Sequence, residues 1–195
     1  SPTRDRQLRA IAFLPAELEV SLEGPVAGVA AWLAAKVTGE MVLVRGDELI
    51  RQWLGTSGDK LGAQDARALG TVFERLGYGV EPDPRFGGEA IRASGQVALF
   101  RLPQGASAQP TSAYVVMSLW LRLATHVALA DGHFDQQEEA LLHKRINDMS
   151  DADDVTRRRL HARLEWLVVE KPGLRGLAKR VGGLPFADKR RIGQL

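Results

Sequence analysis

Cysteine is absent from all 195 residues. That excludes a disulfide framework, thiolate zinc sites, iron–sulfur ligation and a cysteine nucleophile, and it suits a reducing cytosol. Aromatic residues are scarce, at 6%. Trp32, Trp53, Trp120 and Trp166 all fall at apolar helical positions, where packing in a core is the default. The basic clusters Arg157-Arg158-Arg159 and Lys189-Arg190-Arg191 therefore have no interleaved aromatics to stack on bases, and nucleic-acid binding is not favoured. Long apolar runs are missing too. The longest, from about Tyr114 to Leu121, falls short of the ~20 residues of a membrane span. Ser1-Pro2-Thr3-Arg4-Asp5-Arg6 has no apolar stretch behind its basic residues, so no signal peptide is read there. Ser1 in place of methionine suggests a processed or recombinant fragment. There is no phosphate-binding loop and no Gly-x-Ser-x-Gly, and Gly77-Tyr78-Gly79 lacks the third glycine of a dinucleotide fingerprint. Pro82-Asp83 with Glu89 has the outline of a nuclease acidic pair, but Ile91 stands where a lysine is required.

What is present is an ordinary globular composition, 45% apolar and 26% charged. Such a chain can bury a core. Its net charge of +2 hides an uneven distribution. Residues 1–130 balance. Residues 131–156 carry eight acids against Lys144 and Arg145, net −6, and residues 157–195 carry net +8. Such polarity steers cations and anionic partners to different faces, or leaves two solvated faces that attract each other.

The patterning divides the chain into a domain over 1–102, a linker over 103–111 and a second domain over 112–195. The linker, from Pro103 to Pro110, is small, polar and bracketed by prolines. The expected fold class is mainly α, with a short β element in the first domain. There, Pro25 opens an alanine-rich helix that Gly39 ends, and Met41–Val44 is a strand or a connector. Asp47 is read as the cap of a short helix bearing Leu49, Ile50, Trp53 and Leu54. Ala63 to Leu76 reads as a helix stopped by Gly77 and Gly79, and 81–88 as a loop. Val97–Leu102 reads as a strand, with Gln96, Ala98 and Phe100 on one face.

The second domain reads as all helix. Thr111 or Ser112 caps a helix to about Ala130, and a second runs from Gln136 to about Asp148. A third is capped by Ser150, with Asp153 in its first turn and Leu160, Leu164, Leu167 and Val168 as its stripe. Short helices follow over 174–181 and from Pro185, the last with Ala187, Ile192 and Leu195 as apolar positions. An apolar stripe running into a chain end suggests truncation there.

The most specific stretch is Ala128-Leu129-Ala130-Asp131-Gly132-His133-Phe134-Asp135-Gln136-Gln137-Glu138-Glu139. Gly132 permits a sharp turn between two helices. Asp131, Asp135, Glu138 and Glu139 can then present three or four oxygen ligands, a set that favours calcium, magnesium or manganese over zinc. The same residues admit a second reading. Asp135-x-x-Glu138 has the spacing of a capping box, stabilising the helix by ~1 kcal/mol without any ion. Both readings stay open. An EF-hand is excluded, because Gln136 occupies the position that requires glycine. His133 can add a nitrogen ligand. His143 shares a face with Glu139 at a spacing of four, whereas a di-iron Glu-x-x-His motif needs three. His126, on an apolar helix, reads as a hydrogen-bonded interior residue, and His161, among arginines, as solvated.

The run Ala128-x-Ala130-Asp131-Gly132-x-Phe134-Asp135-x-x-Glu138 resembles the signature of the TerB-like tellurite-resistance family, also found at the N-terminus of the DjlA co-chaperone. Coverage is roughly 112–195. The resemblance implies a bacterial helical bundle linked to stress-response or tellurite-resistance operons. It implies a divalent-cation site at Asp131 and Glu138. No catalysis is expected from the residues themselves, since they offer no nucleophile–base pair. It also implies partner proteins in a stress-response complex, in the cytoplasm or peripheral to the inner membrane. Family members often carry a second Ala-Asp-Gly loop, which this chain lacks. Residues 1–102 resemble the extra domains flanking such modules, without residue assignments. The alternatives from the residues alone are a metal-free scaffold, and a nucleic-acid- or phosphate-binding module using the basic segment.

Overall fold

Alternation of helical and strand periodicity in the first hundred residues produces a small sheet backed by helices. The computed structural model describes residues 8–10, 24–103, 106, 109–130 and 134–194. The chain falls into two units, 1–109 and 110–195. Asp131, Gly132, His133 and Leu195, together with Gln104, Gly105, Ser107 and Ala108 of the expected linker, lie outside the described residues.

In the first unit the order is helix, strand, helix, helix, strand, strand. These elements are α1 (Gly24–Lys36), β1 (Met41–Arg45), α2 (Gly46–Leu54), α3 (Ala63–Arg75), β2 (Tyr78–Glu81) and β3 (Gln96–Arg101). β3 lies between the other two, antiparallel to both. Met41 pairs with Phe100 and Val44 with Val97, while Tyr78 pairs with Arg101 and Glu81 with Ala98. The central strand is buried on both faces from Val97 to Phe100, so the expected alternation of its two faces does not appear as one wet and one dry side. Leu33, Leu49, Ile50, Leu69 and Val72 of the helices and Val80 and Leu99 of the sheet join one core. Trp53 meets Phe73 edge-on within it, ring centroids 6.5 Å apart.

β2 was not expected. Gly77 does end α3 in the left-handed region, at φ 80, but Gly79 is a strand residue. A Cβ there would fall 2.2 Å from the Phe100 ring, so glycine is what lets the opposite aromatic lie flat across the strand. Asp47 is likewise not a cap. α2 starts at Gly46, with Arg45 as its N-cap and no side-chain capping bond. Asp47 instead sits in the first turn, bonded to Arg45 at 2.9 Å and Arg51 at 3.2 Å.

The segment between β2 and β3 is tied down by charge. Asp83, with a fully buried side chain, accepts from the Arg85 backbone and pairs with its guanidinium at 2.6 Å; Arg85 also meets Glu74 of α3 at 2.7 Å. Burial pulls the Arg85 guanidinium down, but the Asp83 hydrogen bond and the charges of Asp83 and Glu74 outweigh it, so its pKa is raised. A Cβ on Gly70 would lie 2.7 Å from that guanidinium. The nuclease outline is thus replaced by a structural ion network around Asp83.

The second unit consists of α4 (Ser112–Ala130), α5 (Gln136–Asn147), α6 (Asp154–Glu170), α7 (Leu177–Gly182) and α8 (Phe186–Ile192). Thr111 caps α4, its Oγ1 accepting from Tyr114 N at 3.1 Å. α4 is long and apolar enough to cross a membrane by length and composition, although half of it is buried within the protein. Its Tyr114, Met117 and Leu121 pack in the bundle interior, as do Leu160, Leu164 and Leu167 of α6. The cap of α6 is Asp153, accepting from Thr156 N at 2.7 Å, not Ser150. α8 has no buried residue, and Phe186 is 76% exposed. Its anchors are polar: Ser112 donates to Asp188 at 3.0 Å, and Arg191 pairs with Asp151.

Candidate metal centre

The acidic start of α5 closes on itself. Asp135 has extended backbone, and its Oδ1 accepts from Gln137 N at 2.8 Å and from Glu138 N at 2.9 Å. Glu138 Oε2 accepts in return from Asp135 N at 3.2 Å. Three N–H groups that the helix leaves unpaired are thereby satisfied, and both carboxylates favour the positive end of the helix dipole. Asp131, the remaining loop acid, lies outside the described residues.

Glu139 belongs to a different arrangement. At i and i+4, Glu139 and His143 project from one face of α5. His161 and Glu165 do the same on α6, in reversed order. α5 and α6 are joined by a short connection and pack together, so the two pairs meet with like residues adjacent. His143 Nε2 lies 3.0 Å from Glu165 Oε1 and 3.9 Å from Glu139 Oε1. Potential ligand atoms of Glu139, His143 and Glu165 all fall within 4.8 Å of one another. The three side chains are 33%, 28% and 26% exposed, open enough for an ion to enter and sheltered enough to hold a geometry.

Behind this trio stands a chain of hydrogen bonds. His143 Nδ1 is 2.7 Å from His161 Nδ1, and His161 Nε2 is 2.9 Å from Asn147 Oδ1. The rings stack with centroids 4.9 Å apart and 28° between planes. Burial pushes the His161 imidazole down to about 4, with the neighbouring His143 and Arg157 lowering it further and Glu165 opposing. A neutral His161 that donates from Nε2 to Asn147 must accept at Nδ1. His143 then donates from its own Nδ1 and turns Nε2 toward the two carboxylates. This corrects the expectation of a solvated His161.

Of the four expected ligands, Glu139 alone joins a cluster among the described residues; Asp135 and Glu138 are engaged in capping. His143 and Glu165 were not expected as ligands. The signal for them was the mirrored spacing, Glu-x-x-x-His followed by His-x-x-x-Glu, which becomes meaningful only once the two helices face each other. His126 is half-buried at a shallow cavity with Thr125, Leu129, Leu167 and Pro172, not a sealed interior residue.

In the first basic cluster Arg158 is exposed, as Lys189 and Arg190 are in the second, but its neighbours are not. Arg159 is 1% exposed and Arg163 3%, the latter with its guanidinium 4.8 Å above the Trp166 ring centre. Arg157 donates to the Met149 carbonyl at 2.7 Å. Trp53 and Trp166 are buried, whereas Trp32 is half-exposed and donates to Glu48. Comparison with protein-family models, with curated proteins and with solved structures finds no match to this chain.

Proposed function

We propose that residues 112–195 form a non-enzymatic TerB-like module of a bacterial stress-response or tellurite-resistance system. In this reading the module holds a divalent cation where α5 begins and docks a partner protein in the cytoplasm or at the inner membrane face. The observation that carries the cation half is that Glu139, one of the four acids at the start of α5, stands with His143 and Glu165 in one cluster. Partner docking is supported by Leu123 and Val127, which leave apolar surface exposed on α4 at 39% and 54%. The nucleic-acid alternative is weaker, because Arg159 is buried and Arg157 is occupied by a backbone carbonyl.

Calorimetry with calcium, magnesium and manganese on the whole chain tests the cation half. The expected result is heat of binding and a thermal shift, both diminished in the Glu139→Ala variant. No heat, and no shift beyond that of the variant, overturns it.

A further inference from the structure

We infer that Glu139, His143 and Glu165 form a bridging site between α5 and α6 for a single first-row transition-metal ion of the zinc or cobalt class. The inference deepens the proposed function by naming the ion's class and ligands. It rests on that reading only in that a cation is held at α5, and it needs neither Asp131 nor Glu138.

The donor set is one imidazole nitrogen and two carboxylates. Calcium takes six to eight oxygens and magnesium keeps its waters, whereas imidazole with carboxylate suits zinc and its neighbours. Zinc-type ions hold such donors at about 2.0–2.2 Å, with three protein ligands leaving room for water. The separations of 3.0 and 3.9 Å about His143 Nε2 are of the order that donors sharing one ion adopt. Two carboxylates brought within 4.8 Å of one another repel when both are ionised, and an ion between them removes that cost.

The second observation is the arrangement behind the ligand. A metal-binding histidine ordinarily donates its other ring N–H to a partner that fixes tautomer and orientation. His143 has such a partner in His161, which is itself held by Asn147. His161 is thus a positioning residue. On binding, the ion replaces any proton that Nε2 holds toward Glu165, and that proton passes to solvent. Because the ligands come from two helices, the bound ion clasps α5 to α6.

The test is cobalt(II) titration of the chelator-treated whole chain, followed by its visible absorption bands, with zinc competing. One equivalent of cobalt should give bands that zinc abolishes. His143→Ala and Glu165→Gln should abolish the bands; the latter keeps an acceptor for His143, and circular dichroism checks that it folds. His161→Asn should keep the bands with roughly 10–100-fold weaker affinity. Asp131→Ala/Glu138→Ala should leave them unchanged. Absent bands in the wild type, or bands that survive His143→Ala and Glu165→Gln, overturn the inference. Bands lost in Asp131→Ala/Glu138→Ala also overturn it, by placing the ion in the loop. Calcium or manganese binding without cobalt bands leaves the proposed function standing and removes this inference. Cobalt bands without calcium, magnesium or manganese binding do the reverse for the loop site.

Discussion

Glu138 and Glu139 are adjacent in the chain and face different partners. Glu138 turns back to the Asp135 backbone, 3.2 Å from its nitrogen. Glu139, about 100° further round the helix, shares its face of α5 with His143 and looks across to Glu165 of α6, which completes its cluster. One residue therefore secures the start of α5, and the next reaches its neighbour helix.

The two roles separate on mutation. Asp135→Ala should cost ~1 kcal/mol of stability in the absence of metal, since the cap bonds two backbone donors. Glu139→Gln should cost far less, as it touches no backbone donor. Urea denaturation of both variants in chelator checks this, and equal losses would contradict it.

Asp153 gives a pH dependence. Hydrogen bonds from Thr156, aided by the Arg157 charge and opposed by burial, hold its carboxyl below the usual carboxylate range. A depressed folded-state pKa means the unfolded chain binds more protons in this range. The stabilisation is therefore fully present above the unfolded value and is lost as pH falls through the lower, folded value. Asp153→Asn, which keeps a capping oxygen, should flatten the acid limb of the melting curve while changing neutral-pH stability little. An unchanged acid limb would exclude the role.

Gly46 admits no side chain. A Cβ there would fall 1.9 Å from the Arg92 carbonyl oxygen, while Gly46 N donates to Gly95 O at 2.8 Å. Both neighbours are backbone, so neither moves cheaply. Gly46→Ala should destabilise the first unit by about 3 kcal/mol. Chemical denaturation measures it, and a neutral result would mean the 92–95 turn can shift.

Arg85 is the keystone of the charge network. Arg85→Met would take the guanidinium away from Asp83 and Glu74, whose side chains are 0% and 8% exposed, at a cost of about 3–5 kcal/mol. Replacing all three, with Asp83→Asn and Glu74→Gln added, should recover much of that. A single-variant loss under about 1 kcal/mol would equate the network with a surface ion pair.

Arg159 and Arg158 should behave oppositely to a shared nucleic-acid face. Arg159→Ala should lower the melting temperature, because it removes a side chain 1% exposed in the bundle. Arg158→Ala, at an exposed position, should leave it nearly unchanged. Equal, small effects on stability together with lost DNA retention would favour the nucleic-acid reading.

Short-range chemistry was legible without coordinates. The apolar stripe of α6, the Thr111 cap and the Asp135–Glu138 box follow from spacings of three and four residues, because a helix brings those positions together wherever it lies. The exchange of Ser150 for Asp153 as a cap is a three-residue error of the same local kind. β2 was hidden because Gly79 carries no strand signal; its place depends on Phe100, twenty-one residues away, lying over it. Arg159 read as part of a surface charge cluster because no local pattern distinguishes a solvated arginine from one buried in the bundle. The mirrored Glu and His pairs carry the same lesson. Each is an ordinary i,i+4 pair on its own helix, and only the packing of α5 on α6 gathers Glu139, His143 and Glu165 into one cluster with His161 behind it. Helical periodicity acts within a turn or two, whereas a site built across two helices depends on which faces bury against each other.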